Sequence, residues 1–581
     1  MAALVEQRSL QKPQLPHSHL EFTLSPDRTQ YIRRAHGRER SSACTSQYSD
    51  GNMHQYGIGI LEFKESVSQP EMFKHARAAW MKLRFQAPWM AYRCSSIKDD
   101  PEPNAFLLSY DIIGRNSKMT QNGFQNLEEW ADDTLMMRDE VRTFDEWEMW
   151  LKDHFWRPSE GHFGMESHIA WGADDKHWIV MSSAPHMTAD ARGVFSLFDL
   201  YMKLVTKEFQ DSKKATYVPP ERYPWGDEIS KLTPAATTLL PDVGTEPVLN
   251  PDPSKLVQFD RQPFPSTVVP ISTDTTSLYG DSLLNKIALS QTDTRAITLA
   301  CSKAKCTLTV LLNSILLLAD VEKAVGMLLA EAKKQNSPKM MALVEENWYK
   351  AEVWCIQINP VDMRGYVYPR YQTLHGSSTS GGILNVMVPT YHSMTAIRKC
   401  LTIKDGKIHR TWYSNPSAFW VDVIQDTQAL LKIVAKTPPS LFHKSAVMSE
   451  QFAPLMGTVS ADAMMGTKPL GMIPSSIGSM ERLGLYRDFS PLYQKSKMGT
   501  DAEPPYLIPQ MAVGGRSHNT PAVTVTIWEY NGSMVMNTQG SKRHQNAEGW
   551  DMFCSAAIDG FKQVIKGVLA SQRSEGARAA L

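Results

Sequence analysis

The chain has 581 residues, of which 42% are hydrophobic, and this length is sufficient for more than one hydrophobic core. Its 61 Lys and Arg residues balance its 61 Asp and Glu residues, so the chain carries no formal net charge. Such a chain is not expected to bind nucleic acid or an anionic membrane surface, although a local pocket can still bind a small anion.

The cysteines and the apolar runs also exclude several classes of protein. The chain has 7 cysteines, an odd number, and no CxxC pair, so neither a disulfide framework nor a cysteine-based zinc site is predicted. The N-terminal 20 residues contain no apolar segment typical of a signal peptide. The longest apolar run, Leu308 to Val321, is shorter than the roughly 20 residues that a membrane span needs. We therefore expect a cytoplasmic protein without a membrane span and without a bound metal.

The first half of the chain alternates between strand and helix patterns. Residues 1–54 are polar and rich in Arg, Ser and His, and this composition predicts a partly disordered N-terminal segment. The elements predicted after it are a strand at Tyr56–Glu65, a helix through Phe73, Ala76, Trp80 and Leu83 that ends at Pro88, a strand at Phe106–Ile113, and amphipathic helices at 126–141 and 144–156.

A strand and a helix then meet at a short turn, and a proline-rich segment follows. The stretch His177–Ala184 is apolar throughout, as in a buried strand, and Pro185 ends it. The residues after it repeat Val194, Leu197 and Tyr201 on one helical face. Proline is dense between residues 216 and 273, which disfavours both helix interiors and central strands and predicts an extended crossover.

The second half repeats the mixture of strands and helices. The predicted elements are a strand ending at Leu289, helices at 290–304 and 307–325, strands at 352–366 and 381–389, hairpins turning at Asp405-Gly406 and Asn531-Gly532, and a final helix at 548–569. We therefore predict an α/β (α+β) fold of two lobes, each a mixed sheet with flanking helices. The predicted boundaries are 1–54 for the polar segment, 55–215 for the first lobe, 216–280 for the crossover and 281–581 for the second lobe.

The turn at residues 185–190 contains His186 and Asp190, four residues apart. A rigid strand-to-helix frame can fix an imidazole for general-base chemistry. On spacing alone a structural role is at least as good an explanation, because a chain with 16 histidines can contain HxxxD by chance. A strand-end histidine is also often satisfied by a backbone carbonyl. A metal site is less well supported, because no third ligand has a recognisable spacing.

Several stretches together resemble one enzyme superfamily. HxxxD between a buried strand and a helix resembles the BAHD, condensation-domain and carnitine-acyltransferase-like acyltransferases. Within that superfamily the chain is most similar to fungal enzymes of the trichothecene 15-O-acetyltransferase type. The other stretches that carry the resemblance are AAWMKLRFQAPWMAYR, TLTVLLNSILLLA, NPVDMRGY, GGILNVMVP, PSSIGSMERL and YIRRAHGRE. The departures are Pro185 before the histidine, Ala191 after the aspartate, and no DFGWG motif.

The resemblance implies two chloramphenicol-acetyltransferase-like lobes with the catalytic motif, His186 and Asp190, in a tunnel between them. It implies that His186 is the general base and that Asp190 forms a structural ion pair with Arg364. Ser475 or Ser476 would donate to the oxyanion, although both are equally explained as turn residues.

The implied reaction is transfer of an acyl group, acetyl by the same resemblance, from acyl-CoA to a hydroxyl of a small fungal secondary metabolite. Acyl-CoA would be the co-substrate, and no cofactor would be permanently bound. The partners would be acyl-CoA and the small-molecule acceptor, and the enzyme would be a monomer. Two alternatives stay open at this point. One is a condensation-domain-like enzyme that joins or cyclises a polyketide or peptide intermediate without free CoA. The other is a non-catalytic binding protein.

Overall fold

The computed structural model describes residues 20–98, 100–172, 174–245, 252–263, 282–372, 381–456, 471–494, 504–517 and 520–579. Its strands are β1 (Thr23–Leu24), β2 (Gln30–Arg34), β3 (Gln55–Phe63), β4 (Tyr92–Ser96), β5 (Phe106–Asp111), β6 (Leu135–Arg138), β7 (Glu166–Trp171), β8 (His177–Ala184), β9 (Ser282–Ala288), β10 (Val353–Asp362), β11 (Asn385–Ser393), β12 (Leu401–Lys404), β13 (Lys407–Arg410), β14 (Met472–Ser479), β15 (Tyr506–Leu507), β16 (Met511–Gly515), β17 (Val523–Tyr530) and β18 (Ser533–Ser541).

Its α-helices are α1 (Arg38–Tyr48), α2 (Gln69–Gln86), α3 (Ser117–Gln121), α4 (Leu127–Thr134), α5 (Phe144–Asp153), α6 (Ala191–Asp211), α7 (Ala236–Leu239), α8 (Gln291–Ala304), α9 (Leu308–Lys334), α10 (Pro338–Lys350), α11 (Pro369–Tyr371), α12 (Met394–Cys400), α13 (Pro416–Ala418), α14 (Ile424–Val434), α15 (Pro439–Phe452), α16 (Pro491–Gln494) and α17 (Ala547–Ala579). Single-turn segments connect several of them.

The first lobe is built on a six-stranded sheet in the order β15-β3-β8-β7-β6, with β16 also paired to β3. Strand β8 is buried along nearly its whole length, which agrees with its unbroken apolar sequence. Helices α2 and α6 pack against each other over this sheet. A second sheet of the same half has the order β1-β2-β5-β4.

The second lobe has a four-stranded sheet in the order β14-β17-β18-β9 and two antiparallel two-stranded sheets, β10-β11 and β12-β13; the tight hairpins are β12-β13 and β17-β18. The predicted turns are confirmed, since Asp405, Gly406, Asn531 and Gly532 all have positive φ, as tight hairpin turns require. Helix α9 is largely buried in the core of this lobe. Among the described helices none alone is long and apolar enough to cross a membrane; α8 and α9, bent by 100° between them, pass that test only as a pair. The two-lobed mixed fold predicted from the sequence is confirmed.

The linear division into lobes differs from the structure at one place. Strands β15 and β16 come from the C-terminal half, yet both pair antiparallel with β3 in the sheet of the first lobe. Side chains such as Tyr506 and Trp528 lie in the core of the first lobe. The pairing partners are more than 400 residues apart in the chain, so no local pattern indicates this exchange.

The N-terminal segment also differs from its prediction. From residue 20 onward it forms β1, β2 and α1, and only residues 1–19 lie outside the described part. Helix α1 has no apolar stripe. Buried ion pairs stabilise this segment instead: the Arg33 guanidinium lies 2.7 Å from Glu39, and Arg40 contacts Glu450. The prediction of disorder was therefore wrong for residues 20–54, because polar side chains there are packed and paired.

Two other predictions are affected. The predicted helix at 126–141 ends at Thr134 and continues as β6, which pairs parallel with β7. The sheet partner overrides the helical pattern there. The predicted crossover is described at 216–245 and 252–263, where it contains α7, and its remainder lies outside the described residues.

Candidate active site

The turn between β8 and α6 is held to both halves of the chain. The hydroxyl of Thr188 donates to the carbonyls of Pro185 at 2.9 Å and Gly164 at 3.3 Å. The amide of Gly382, which precedes β11, donates to the carbonyl of Thr188 at 2.7 Å. Gly382 has φ +89°, a conformation that an L side chain rarely adopts. The turn that contains His186 is thus positioned by backbone contacts from two lobes.

Asp190 is buried, 2% exposed, and its carboxylate is saturated with hydrogen bonds. As the N-cap of α6 it accepts from the amide of Gly193 at 3.0 Å. It also accepts from the amide of Leu384 at 3.1 Å and from two nitrogens of Arg364 at 2.7 and 3.0 Å. Burial raises the pKa of Asp190, but the charge and hydrogen bonds of Arg364 outweigh it, and the net pKa lies below its usual value.

Arg364 follows β10 and its side chain is 9% exposed. Besides Asp190 it contacts the carboxylate of Asp362 at 3.1 Å, which is 46% exposed. Burial disfavours the charged guanidinium, but the two carboxylates outweigh burial and raise the pKa of Arg364. The structure therefore brings Asp190 and Arg364 together as a bidentate pair between the first and second halves of the chain, 174 residues apart.

The imidazole of His186, in contrast to the carboxylate of Asp190, lacks a full set of hydrogen-bond partners among the described residues. The residue is 9% exposed, and its buried Nδ1 has no hydrogen-bond partner in the described part of the chain. Burial, and to a smaller extent the positive charge of Arg38, lower the pKa of His186 to about 4. The carbonyls of His186 and Ala189 and the charge of Asp190 oppose this only in part. The imidazole is consequently neutral at neutral pH, with one nitrogen able to accept a proton.

Arg38 is a site residue that the sequence did not indicate. It is the first residue of α1, and its guanidinium donates to the backbone and side-chain oxygens of Asn385 at 2.8 and 2.6 Å. Burial lowers the pKa of Arg38 to about 10, so it still carries its charge beside His186. The stretch YIRRAHGRE contains Arg38, but only tertiary contact shows which of its arginines faces the turn.

The two candidate oxyanion donors lie in strand β14, not in a turn. Ser475 and Ser476 are half-buried and pair with Thr526 and Ile527 of β17. The Ser476 hydroxyl lies 3.1 Å from that of Thr309 on α9. No hydrogen bond joins either serine to His186 among the residues that the structure describes.

Comparison with solved structures shows that the fold of the chain is a known one. The structure is similar to trichothecene 15-O-acetyltransferase from Fusarium sporotrichioides, with a TM-score of 0.64, 13% identity, and 95% of this chain and 99% of that chain covered. It is similar at a TM-score of 0.50 and 8% identity to the condensation domain of the monacolin K polyketide synthase, covering 93% of this chain and 97% of that one. It is also similar to the first condensation domain of the CDA synthetase, with a TM-score of 0.50, 8% identity, and 92% of this chain and 96% of that chain covered.

No protein-family model and no curated protein sequence matches the chain. At these identities the structural likeness concerns the fold alone. The resemblance predicted from the sequence is confirmed at that level: the structural neighbours are BAHD-like and condensation-domain-like acyltransferase folds with two lobes.

Proposed function

We propose that the chain is an acyl-CoA-dependent O-acyltransferase that transfers an acetyl group to a hydroxyl of a small fungal metabolite, with His186 as the general base. The observation that carries the proposal is the neutral, buried imidazole on a turn clamped by the Asp190–Arg364 pair. The similarity of the whole fold to a trichothecene 15-O-acetyltransferase supports the choice of an acetyl donor and a hydroxyl acceptor.

In the proposed reaction His186 accepts the proton of the acceptor hydroxyl as its oxygen attacks the thioester carbonyl. The tetrahedral oxyanion then collapses and the C–S bond breaks. The sulfur of CoA leaves with the proton that His186 returns to it, so no covalent acyl-enzyme is formed. A neutral imidazole is ready for this without first losing a proton. Ser475 or Ser476 would donate to the oxyanion.

Asp190 has a positioning role in this scheme. Four N–H groups already occupy its carboxylate, and in the described structure no hydrogen bond joins it to the His186 ring. It therefore does not act as the carboxylate of a relay. Its contribution is to hold the turn, and with it the imidazole, in one place.

The test is incubation of the purified chain with acetyl-CoA and longer acyl-CoAs and a fungal metabolite extract, with free thiol and product mass followed together. We expect CoA release in step with an acetylated product, and loss of both in His186→Ala. His177→Ala is the matched control, because His177 lies at the start of the same strand and its side chain is 32% exposed. Condensation chemistry, which two of the structural neighbours represent, would give product from a carrier-bound thioester without release of free CoA.

A further inference from the structure

A second group of chemically active side chains lies in the first lobe, outside the turn of His186. His154 directly follows helix α5, and its ring stacks on Trp150 with centroids 4.5 Å apart and planes at 16°. Glu166 and His168 are two residues apart on β7, so their side chains leave the same face of the sheet. The sequence spacing of the three does not match a familiar metal motif, and the fold alone brings them together.

The three side chains converge on one point. The Nε2 atom of His154 lies 2.9 Å from Oε2 of Glu166, and Nε2 of His168 lies 3.7 Å from the same oxygen. All three ligand atoms lie within 4.8 Å of one another. A tetrahedral zinc ion with bonds of about 2.0–2.2 Å holds its ligands about 3.4 Å apart. To surround one ion, the His154 and Glu166 atoms would separate by about 0.5 Å and the wider pairs would close by at most about 1.4 Å.

Burial gives independent support. His168 is fully buried, and its Nε2 has no hydrogen-bond partner among the described residues. A buried polar nitrogen aimed at a carboxylate without a bond is costly unless something else satisfies it. His162, with a half-exposed side chain, lies 3.3 Å from the other oxygen of Glu166. It lies outside the group of three ligand atoms, and its exposure marks the side from which an ion would enter.

Arg138 determines when such a site can be filled. Its Nε donates to Nδ1 of His168 at 3.3 Å, so in the neutral ring Nδ1 carries the lone pair and Nε2 carries the proton. A metal on Nε2 requires the opposite tautomer, in which Nδ1–H would face a donor. The guanidinium, 4.9 Å from the centroid of the Trp150 ring, also repels a divalent cation by its charge.

We propose that His154, Glu166 and His168 form a binding site for a divalent transition metal of the zinc class, and that Arg138 competes with the metal for His168. The site fills when Arg138 leaves the imidazole. Two imidazoles and one carboxylate are a donor set suited to zinc, whereas calcium and magnesium prefer oxygen alone. This proposal is independent of the proposed acyltransferase reaction.

The position of the site predicts what an ion would do. Glu166 pairs with Ser183 on β8, three residues before His186, and Gly164 accepts the hydrogen bond from Thr188 in the turn. An ion would join the end of α5 to this part of β7 and so brace the strand beside the turn. We therefore expect bound zinc to raise the thermal unfolding midpoint, because a ligand that binds only the folded chain stabilises it.

The experiment uses the full chain, treated with a chelator, dialysed and titrated with Zn²⁺ by calorimetry. Co²⁺ serves as a spectroscopic probe, since a tetrahedral nitrogen and oxygen site gives intense visible absorption. We expect one ion per chain. Glu166→Gln and His154→Gln should each weaken binding by at least roughly 10–100-fold. Arg138→Gln should strengthen it, because both the competing donor and the opposing charge are removed.

The control is His177→Gln. His177 lies 2.7 Å from Asp174, and this pair has an imidazole and a carboxylate but no third ligand in the part of the chain that the structure describes, so its loss should not change binding. Absence of binding by both the wild type and Arg138→Gln would overturn the proposal. Binding that survives Glu166→Gln and His154→Gln would place the ion elsewhere and overturn it equally. Weaker binding in Arg138→Gln would refute the competition. Circular dichroism of each variant establishes that it is folded.

Discussion

Replacement of Asp190 by alanine is expected to destabilise the chain more than any other change at the turn. Among the described residues, it would leave the guanidinium of Arg364, 9% exposed, with the half-exposed Asp362 as its one charged partner. Breaking one side of a buried ion pair costs about 3–5 kcal/mol, because the remaining charge is uncompensated. The amides of Gly193 and Leu384 would lose their acceptor as well, and loss of an N-cap alone costs about 1 kcal/mol.

The two partners are not equivalent in this respect. Arg364→Ala leaves Asp190 with two backbone donors. We therefore expect this variant to lose unfolding free energy at the lower end of the range of about 3–5 kcal/mol. Asp190→Asn keeps one oxygen that can cap α6, but it removes the charge and replaces the other accepting oxygen by an NH2 group that cannot accept, so a loss as large as that of Asp190→Ala would show that the cap contributes little. The double variant Asp190→Ala/Arg364→Ala should lose less than the sum of the single losses, by up to about 3 kcal/mol.

The assay is a double-mutant cycle on urea and thermal unfolding. A chain with two cores can unfold in more than one step, so the four proteins are compared within one transition. Asp362→Ala is the matched control, because it removes a partner of the same arginine that is exposed to solvent, and its effect should stay below about 1 kcal/mol. Additive losses in the cycle, or equal losses for Asp190→Ala and Asp362→Ala, would refute the reasoning.

The remaining predictions concern the base and the domain organisation. His186→Ala should stay folded with an unchanged unfolding midpoint and lose roughly 10²–10⁴-fold in turnover; near-normal transfer would exclude it as the base. Because the pKa of His186 is lowered to about 4, the acid limb of the pH profile of kcat/KM should lie well below pH 6.5. Arg38→Gln should move this limb to higher pH, because the positive charge beside the imidazole is removed. A limb that stays in place in Arg38→Gln would show that the charge of Arg38 does not act on the ring. Limited proteolysis should cut within the proline-rich crossover, 216–273, before α9, and early cleavage inside α9 would contradict the two-lobe organisation.

Much of the fold could be predicted because its strongest elements carry their signal locally. Strand β8 is an unbroken apolar run, α9 begins with a long one, and both hairpins have the dipeptides that tight turns require. The failures have the opposite character. Strand β6 continues a helical pattern and exists because β7 pairs with it. Strands β15 and β16 join a sheet whose other strands lie far away in the chain.

The site divides in the same way. His186 and Asp190 are visible in the sequence, since four residues and one turn place them. Arg364 lies 174 residues from Asp190, and only a resemblance to a known superfamily indicated the pairing. Arg38 had no such signal, because its position beside the imidazole depends on how α1 packs against the start of β11. The sequence therefore indicates the residues of the turn itself more readily than the distant arginines whose charges shift the pKa values of those residues.

The turn contains two ionisable groups, and folding favours the charged form of one and the neutral form of the other. Asp190 is charged and fully hydrogen-bonded, and because its folded pKa lies below 3.8, its stabilising effect is present at neutral pH and is lost only in acid. His186 also has a lowered pKa, but for an imidazole this means that the folded state disfavours the proton. Folding then loses stability as the pH falls from about 6.5 towards 4, by on the order of 3 kcal/mol. The buried Nδ1 of His186 has no hydrogen-bond partner among the described residues, so burial of this imidazole lowers the stability of the folded chain in acid. In the proposed reaction this imidazole is the proton acceptor, and the bidentate ion pair and the backbone contacts from both lobes hold the turn that carries it.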